Sequence, residues 1–475
     1  MTEKIYNFKT DIVIGLEIHI ELATDSKLFC SCATHADKDE PNTRTCPVCL
    51  GHPGSKPVLN KKAVDYALRL CLALGCEIAP ELVFSRKSYF YPDMSKNYQI
   101  TQYEIPLGEK GSIRLSDGVK IGINRVHMEE DPAALVHPAG MTGSTFVLID
   151  YNRSGDPLCE VVTEPELTSP EQARDFMKQL INILRYLGIF DVNRCIIKAD
   201  ANVSVKESGY QRVEMKNITG FKDIERALKY EIQRQKKVLK DGAVIKNETR
   251  AWDGQYGVTR SLRSKETEAD YGYIIDPDLV PIDITKEWVD EVKGKMPELP
   301  DEKVKKFMNK FKLSLDDARV ISADKDMAEL FEEVVGDVDA VFAAKWIRRE
   351  LVRCLNYVKK EICDVDVKEI IALLGLVEGK KITETTGQKL MEKLVAERFD
   401  VVEYVKKEGL EAIGDSGELE KFCDEAISEN EKAVLEYKEG NEKSFNFIVG
   451  AVMRKSKGKA DPKRVREMLM EKVGK

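Results

Sequence analysis

The stretch GLEIHIEL, from Gly15 to Leu22, alternates apolar and polar side chains after its first residue. This alternation is typical of a β-strand with one buried face, because successive side chains of a strand point to opposite sides of the sheet. The apolar set faces the core, and the opposite face carries Glu17, His19 and Glu21. The stretch therefore predicts a sheet with one face that presents closely spaced acids and an imidazole.

A second alternating run starts at Cys195 and, after a turn at Ser208-Gly209, returns as RVEMKN. The pattern predicts an antiparallel hairpin whose buried face is apolar and whose other face mixes carboxylates, an amide and lysines. Asp200 and Lys216 lie on that polar face. Taken alone, the face is interpreted as a solvated surface whose charges need no function.

The stretch RVHMEED, residues 125–131, places a histidine two residues before three carboxylates. Like charges at this spacing raise each other's pKa, so a solvated turn or a bound metal ion must offset them. The chain has five histidines, and His19 and His127 both lie beside acid clusters. Histidine and carboxylates from separate strands bind hard cations such as magnesium, with substrate phosphates completing the coordination. The chain contains no G-x-x-x-x-G-K-[ST] loop, so metal and scattered Lys/Arg would have to hold any phosphate.

Two further stretches combine polar and apolar side chains in ways that favour ligand binding. From 89 to 107, YFYPDMSKNYQITQYEIPL joins tyrosines to amides and a lysine, which suits a base or sugar, although tyrosine-rich strands packed on a core are more common. From 148 to 161, LIDYNRSGDPLCEV predicts two apolar strands around a turn. Polar residues embedded in them are informative, because buried charge is costly unless it is paired or ligated. These residues are Asp150, Asn152, Arg153 and Glu160.

Four of the eleven cysteines cluster as FCSC and TCPVCLG, and they are Cys30, Cys32, Cys46 and Cys49. A C-x-C pair and a C-x-x-C pair separated by a short polar loop supply four thiolates at the spacing of a tetrahedral zinc site. Disulfides are the alternative, which a reducing cytosol disfavours. Four thiolates leave no open coordination position, so the sequence predicts a structural zinc knuckle at 30–49.

Length and composition, 475 residues with 43% hydrophobic and 33% charged, favour a soluble globular protein of roughly two to four domains. No apolar run reaches the length of a membrane span and the N-terminus has no apolar signal core, so we expect a cytoplasmic protein with no membrane partner. The net charge of −8 argues against non-specific nucleic-acid binding, yet residues 451–475 carry nine Lys/Arg against three acids. A basic tail on an acidic body predicts a polyanion contact, with RNA as first candidate. A charged, solvated helix end is the alternative.

The sequence pattern changes near residue 290. Before it, short alternating or apolar runs broken by Gly, Pro, Asn and Asp predict strands, with helices at 61–74, 170–187 and 222–239. After it, apolar residues recur at helical spacing almost to the end. The sequence thus predicts an α+β protein whose second part is nearly all helix.

The block DYNRSGDPLCEV resembles the signature of the B subunit of aspartyl/glutamyl-tRNA amidotransferase. Other blocks are similar to that family too: VIGLEIHIEL, TCPVCLG, RKSYFYPDMSKNYQITQY, HMEEDPA and IIDPDL. They run in order over essentially the whole chain. The related archaeal E subunit of glutamyl-tRNA amidotransferase shares many blocks, but it contains an inserted domain for which this chain has no room.

The resemblance implies three domains. A cradle-shaped mixed α/β catalytic domain with an antiparallel sheet would span 1–293, a helical domain 294–405, and a small helical tail domain that contacts the tRNA body 406–475. The catalytic domain would bind the acceptor end of a misacylated tRNA, Asp-tRNA(Asn) or Glu-tRNA(Gln). It would use ATP and magnesium to phosphorylate the side-chain carboxylate, after which ammonia displaces phosphate.

The resemblance also implies partners. The Gly/Ser-rich signature of amidase-type glutaminases is absent, so we expect as partners the glutaminase of the complex, its A subunit, together with its small C subunit. Ammonia would reach this chain through a tunnel, for which polar residues such as Lys198, Asp200, Asn202 and Ser204 are reasonable lining. Some members of the family carry the four cysteines and others lack them, which makes zinc a local structural clip.

Carried over residue by residue, the family's site falls on residues of the stretches quoted above. The magnesium and phosphorylation site maps onto Glu17, His19, Glu129, Glu130 and Glu160, and the expected metal ligands are His19 and the last three of these acids. Asp200 and Lys216 are expected to orient the reacting groups. The expected nucleotide contacts are Tyr89, Tyr91, Lys96, Asn97, Gln99, Asn152 and Arg153.

Two alternatives remain open. A different ATP-dependent amide-forming ligase, acting on a small acid or a protein carboxylate, would keep the acidic metal edge but would not need the basic tail. A non-catalytic zinc-containing tRNA-binding protein would keep the tail and the cysteines but would leave the embedded carboxylates unexplained. The sequence does not distinguish Asp-tRNA(Asn) from Glu-tRNA(Gln) as the substrate.

Overall fold

A computed structural model describes residues 8–34, 40–138, 144–264, 271–412, 416–439, 441–456 and 459–474. The chain divides into two compact units, residues 1–299 and 300–475. The first unit holds the strands, and the second is helical. This division confirms the α+β class predicted from the change of pattern near residue 290.

The strands of the first unit vary in length, and the longest ones run through its centre. They are β1 (Ile12–Glu21), β2 (Glu77–Ile78), β3 (Glu81–Leu82), β4 (Ser85–Ser88), β5 (Tyr98–Thr101), β6 (Gly108–Arg114), β7 (Lys120–Glu130), β8 (Ala134–Val136), β9 (Leu148–Asp150), β10 (Pro157–Thr163), β11 (Ile197–Val205), β12 (Val213–Thr219), β13 (Glu248–Asp253), β14 (Val258–Ser264), β15 (Gly272–Ile275) and β16 (Ile282–Asp283).

The strands of the main sheet follow the order β14-β13-β12-β11-β1-β10-β7-β5-β4-β15, and β6 pairs with both β7 and β2. Neighbours along this order are antiparallel except for β12 and β13. The helix α3 (Phe221–Lys240) connects these two strands, and such a crossover returns the chain in the same direction. The sheet is therefore mixed, whereas the resemblance implied an antiparallel one.

The alternation of β1 is confirmed by its burial, since Leu16, Ile18 and Ile20 are fully buried. β11 and β12 form the predicted antiparallel hairpin. The stretch 148–161 contains the two predicted strands, and these belong to different sheets. β9 pairs with β8 in a small ladder, while β10 lies between β1 and β7 in the main sheet.

The predicted helices of the first unit are confirmed as α1 (Lys61–Ala73), α2 (Pro170–Leu187) and α3, and α4 (Lys286–Gly294) follows them. The Ser169 side chain caps the start of α2, Pro170 occupies its first turn, and Gly188 ends it with φ 65°. Buried side chains of α1, α2 and α3 join those of β1 and β11 in one core. These helices thus cover the apolar face of the sheet.

The second unit contains α5 (Pro300–Phe311), α6 (Leu315–Ser322), α7 (Lys325–Val334), α8 (Ala340–Trp346), α9 (Val352–Val358), α10 (Val367–Glu378), α11 (Glu384–Ala396), α12 (Val401–Lys407), α13 (Ser416–Glu429), α14 (Glu431–Lys438), α15 (Glu442–Lys455) and α16 (Pro462–Val473). A π-helical turn at Ile347–Leu351 joins α8 to α9. Helices α13 to α16 share a hydrophobic core of their own. In the described parts of the chain, no helix is long and apolar enough to cross a membrane. The domain boundaries at 293 and 405 stay predictions.

Candidate active site

The register of four strands brings polar residues into one row across the polar face of the sheet. His19 of β1 lies opposite Glu160 of β10 on one side and opposite Lys198 of β11 on the other. Glu160 in turn lies opposite His127 of β7. The order of the row is Lys198, His19, Glu160, His127. Strands from distant parts of the chain thus assemble a single polar site.

Glu129 lies on the same face of β7 as His127 and completes a cluster that can hold a metal ion. His19 Nε2 lies 3.4 Å from Glu129 Oε1 and 3.7 Å from Glu160 Oε2. The ligand atoms of these three residues all lie within 4.8 Å of one another. One imidazole and two carboxylates leave coordination positions for water and phosphate oxygens, which magnesium prefers. The residues present therefore fit a magnesium ion.

His127 is a buried member of the row to which the sequence analysis assigned no role. Its Nε2 lies 3.2 Å from Glu160 Oε2 and 3.9 Å from Glu129 Oε2. Its Nδ1 is buried and has no hydrogen-bond partner among the described residues. A signal for its position was present in the sequence, because residues two apart in a strand share a face.

The charges of this cluster stabilise one another. Burial raises the pKa of Glu160, but the imidazoles of His127 and His19 outweigh it and hold that pKa below its usual range. Burial lowers the pKa of His19, whereas Glu160 and Glu129 raise it, and the net shift is upward. In the absence of a metal ion, the cluster therefore favours an ionised Glu160 beside a protonated His19.

We expect the affinity for magnesium to fall as the pH is lowered from about 8 to about 6, because a proton on His19 competes with the ion. The raised pKa of His19 strengthens this competition near neutral pH. Calorimetric titration with Mg²⁺ and a non-hydrolysable ATP analogue at each pH measures the affinity. His19→Asn should lose both affinity and pH dependence. A wild-type affinity that does not change with pH would remove His19 from the ligand set.

A second group of charges lies next to the metal cluster. Glu17 lies opposite Asp200 in the sheet, and Asn202 Nδ2 donates a hydrogen bond of 2.9 Å to Glu17 Oε1. Lys216 Nζ lies 2.9 Å from Asp200 and 3.1 Å from Glu214. Burial, and then the neighbouring carboxylates, raise the pKa of Glu17. The structure thus brings three predicted site residues together, with one lysine offsetting two acids.

Glu130 lies on the opposite face of β7 from Glu129 and does not join the metal cluster. Its two carboxylate oxygens lie 2.5 and 2.6 Å from Lys96 Nζ, and both side chains are buried. The Ile100 amide donates to Glu130 Oε1 at 2.8 Å, and Gln99 Nε2 donates to the Glu130 carbonyl at 2.8 Å. This buried ion pair fastens the loop before β5 to β7. The structure brings neither Lys96 nor Gln99 to the metal cluster.

Tyr89 belongs to an aromatic group beside the metal cluster. Its ring meets that of Tyr271 edge-on with centroids 5.8 Å apart, and Tyr103 stacks on Tyr273 at 3.8 Å. Tyr103 and Tyr271 are 43% and 39% exposed. Burial raises the pKa of Tyr89, and so do nearby charges that include Glu129. The two tyrosines of the β15 segment, Tyr271 and Tyr273, were not predicted, because nothing local in the sequence links them to Tyr89.

Tyr91 and Asn97 lie in the loop between β4 and β5. Tyr91 is 52% exposed, and Asn97 adopts a positive φ of 60°. The Asn97 carbonyl accepts a hydrogen bond of 3.2 Å from the Tyr89 amide, which closes the loop. Within the described chain, no hydrogen bond or ring contact joins either residue to the metal cluster. Their assignment as nucleotide contacts stays a prediction.

Asn152 and Arg153 hold neighbouring segments in place. The Asn152 side chain accepts a hydrogen bond of 2.7 Å from the Arg44 amide and donates one of 2.9 Å to the Glu40 carbonyl. Arg153 Nε lies 3.1 Å from Asp131 Oδ2. Asn152 therefore supports the cysteine loop, whereas Arg153 pairs with the acid that follows Glu130.

The four clustered cysteines can bind one metal ion. Their Sγ atoms all lie within 4.8 Å of one another, and those of Cys46 and Cys49 are 3.9 Å apart. Zinc–thiolate bonds of about 2.3 Å place tetrahedral sulfurs about 3.8 Å apart, so the donor set fits zinc. A hydrogen bond with Cys30 lowers the pKa of Cys49 to about 5, which favours the thiolate that binds metal. All four are free thiols, so the structure does not support the disulfide alternative.

A cluster that can hold a metal ion, with lysines on the same sheet face, has the groups that phosphoryl transfer requires. Lys198 strengthens this description, because it forms no hydrogen bond or ion pair with other described residues. Its charge acts at longer range on the buried carboxylates of Glu21 and Asp131. The site thus has donor groups of the kind that a metal-dependent transferase or ligase would need, and similarity to known proteins identifies the family.

The family models described as GatB/GatE catalytic domain and GatB domain match residues 12–290 and 329–473. The B subunit of the aspartyl/glutamyl-tRNA(Asn/Gln) amidotransferase of Carboxydothermus hydrogenoformans is 42% identical over 477 residues, covering 98% of this chain and 99% of the relative. The protein of the same name from Caldanaerobacter subterraneus subsp. tengcongensis is 43% identical over 479 residues, covering 98% and 100%. That of Methanococcus maripaludis is 42% identical over 473 residues, covering 97% and 98%. The chain belongs to this family of tRNA-dependent amidotransferase B subunits, which supports the main interpretation over both alternatives.

Proposed function

We propose that this chain activates the side-chain carboxylate of aspartate or glutamate esterified to tRNA, so that ammonia can convert it to the amide. The observation that carries the proposal is the cluster of His19, Glu129 and Glu160 next to the unpaired Lys198. Family membership supports the use of ATP as the phosphoryl donor. The names of the relatives include both Asn and Gln tRNAs, so either substrate fits the proposal.

The proposed chemistry has two steps. A carboxylate oxygen of the substrate attacks the γ-phosphorus of ATP and the bond to ADP breaks. The nitrogen of ammonia then attacks the acyl carbon, phosphate leaves, and a proton from nitrogen passes to a nearby carboxylate. A magnesium ion held by His19, Glu129 and Glu160 would neutralise charge on the transferring phosphoryl group. Lys198 holds a phosphate oxygen, and Glu17 accepts the proton because its pKa is raised.

The proposed partners follow from the names of the relatives and from the composition of this chain. We propose that ammonia comes from the glutaminase of the complex, its A subunit, that the small C subunit is present as well, and that zinc in the cysteine knuckle is structural. Tyr89, whose ring is partly buried, and Tyr91, whose ring is exposed, are proposed to contact a nucleotide base. Asp200 and Lys216 orient the groups around Glu17 through the ion pair between them.

Trapping the activated carboxylate tests this proposal. The chain, assembled with its A and C partners, is given ATP, Mg²⁺ and misacylated tRNA, with hydroxylamine in place of ammonia. We expect ADP, phosphate and the hydroxamate of the side-chain carboxyl group, and none of these three products with correctly acylated tRNA. ADP release without hydroxamate would mean that ATP is used for a different step.

The basic tail gives a separate prediction about tRNA binding. Lys463 and Arg464 of α16 are exposed and form no ion pair with described residues, so they can contact phosphates. Replacing both with Gln should weaken tRNA binding and lower the slope of log affinity against log salt by up to about 2. Filter binding over a series of salt concentrations measures the slope.

The matched control for this test uses basic residues whose charges are already engaged. Lys455 lies 3.1 and 2.7 Å from Glu425 and Glu429, and Lys472 lies 2.6 Å from Asp424. Replacing these two lysines with Gln should change the slope less. An equal change of slope for both pairs would show that the tail acts through its overall charge. No change of slope for either pair would exclude the tail from tRNA binding.

A further inference from the structure

Lys27 is an unusual feature of the cysteine knuckle, because its long cationic side chain is completely buried. Lysine is almost never fully buried unless it is paired. The residue follows β1 and belongs to the segment that carries Cys30 and Cys32. Its backbone amide donates to the Cys32 carbonyl at 2.9 Å, and the next amide, that of Leu28, donates to the Gly155 carbonyl at 2.9 Å. Lys27 therefore lies where the knuckle meets the turn before β10.

The ammonium group of Lys27 is surrounded by carbonyls and a thiol. Its Nζ donates to the carbonyls of Ser154 at 2.7 Å, Arg44 at 3.0 Å and Tyr151 at 3.4 Å, and it lies 3.9 Å from Cys49 Sγ. Three acceptors satisfy its three protons. No carboxylate of the described residues lies within ion-pairing distance of it. The thiol is therefore the one group in this shell that becomes an anion when a metal ion binds.

The charge of the metal site explains why a cation is placed there. Four thiolates around Zn²⁺ carry a net charge of about −2, and burying such a charge is costly without compensation. We infer that Lys27 is the built-in counter-cation of the four-cysteine site, and that its charge, beyond its hydrogen bonds, increases the affinity of the site for zinc. This inference rests on the proposal that the knuckle holds zinc.

Two different roles for Lys27 must be separated from this one. The side chain could serve only to link the Arg44 loop to the 151–154 turn through its hydrogen bonds. It could also compensate the charge of Asp156, a buried carboxylate that interacts with Lys27 at longer range. The role as a hydrogen-bonded link depends only on the N–H donors of Lys27. The role of compensating Asp156 depends on the presence of that carboxylate. Variants that remove one of these properties at a time distinguish the three roles.

The experiment measures metal binding by the full-length chain. Zinc content is determined first, and affinity is then obtained by competition with a chromophoric chelator. Co²⁺ substitution adds a spectroscopic readout, because its thiolate charge-transfer bands report tetrahedral coordination by sulfur. The variants are Lys27→Met, which loses charge and donors, Lys27→Gln, which keeps amide donors without charge, and Asp156→Asn. Lys62→Met is the control, since Lys62 pairs with the exposed Asp25 at 2.8 Å on the surface.

We expect both Lys27 variants to keep a tetrahedral Co²⁺ spectrum but to bind zinc about 10- to 100-fold more weakly than wild type. Asp156→Asn and Lys62→Met should retain wild-type affinity. Thermal unfolding checks that each variant is folded, and Lys27→Gln decides the matter if Lys27→Met does not fold. If Lys27→Gln binds zinc with wild-type affinity, Lys27 acts only through its hydrogen bonds and the counter-cation role is overturned. If Asp156→Asn loses as much zinc affinity as the Lys27 variants, the charge of Lys27 compensates Asp156 and not the four thiolates. Absence of zinc from the wild-type chain would overturn the zinc proposal and this inference, but not the proposed phosphorylation.

Discussion

Glu129→Gln is expected to slow ATP-dependent amide formation at least about 100-fold while tRNA affinity stays within about twofold of wild type. Glu129 offers a buried carboxylate oxygen 3.4 Å from His19 Nε2, and a neutral amide binds magnesium far more weakly. Glutamine has the same size and can still accept the hydrogen bond from the Thr101 hydroxyl. Turnover is measured as ADP and amide formed at saturating misacylated tRNA, and affinity by filter binding.

The control for this substitution is Glu77→Gln. Glu77 lies on the surface, where it pairs with Lys110 at 2.6 Å, so its replacement should leave turnover unchanged. Normal turnover in Glu129→Gln would exclude Glu129 from the metal site. An equal loss of tRNA affinity would mean that the residue contributes to binding instead.

Lys96→Met is expected to destabilise the folded chain by about 3–5 kcal/mol, the largest effect on stability that we predict. The substitution leaves the buried Glu130 carboxylate without the ammonium that now lies 2.5 Å from it. The Ile100 amide still donates to that carboxylate, but one hydrogen bond does not replace a charge. Calorimetric unfolding of the full-length chain measures the loss.

A second substitution in the same pair separates lost packing from an uncompensated charge. Lys96→Met combined with Glu130→Gln should recover part of the stability, since Gln is neutral and can still accept from the Ile100 amide. Lys110→Met is the matched control, because that ion pair is exposed and should contribute little to stability. If Lys96→Met is no more harmful than Lys110→Met, the buried pair has no structural importance.

Local periodicity predicted the elements that frame the site. The alternation of GLEIHIEL identified β1 and its buried face, and the run from Cys195 identified the β11–β12 hairpin. The spacing of the cysteines predicted a cluster that the structure brings together. Each of these depends on neighbours in sequence, whose relative positions follow from strand or loop geometry.

The separation of Glu129 from Glu130 was also present in the sequence. Adjacent residues of a strand point to opposite faces, so a strand through RVHMEED places His127 and Glu129 on one face and Glu130 on the other. The residue-by-residue transfer from the family grouped both glutamates as magnesium ligands. The structure instead pairs Glu130 with Lys96, which lies in a loop whose course no periodic pattern indicates.

Contacts between distant segments could not be predicted from one sequence. The register that places His19 opposite Glu160 depends on tertiary pairing of β1 with β10. The Asn152 side chain interacts with the Arg44 amide, and the stacking of Tyr103 on Tyr273 joins β15 to the site. Each contact requires two segments to meet in the folded chain, and local patterns contain no information about which segments meet.

The most direct test of the central claim bypasses the glutaminase. The chain is assembled with its A and C partners and given ATP, Mg²⁺, an ammonium salt and either Asp-tRNA(Asn) or Glu-tRNA(Gln). We expect Asn-tRNA or Gln-tRNA to form together with ADP and phosphate, and the tRNA that reacts identifies the substrate. If neither amide forms although both tRNAs bind, the chain acts in recognition only. The magnesium site at His19, Glu129 and Glu160 would then have to be abandoned.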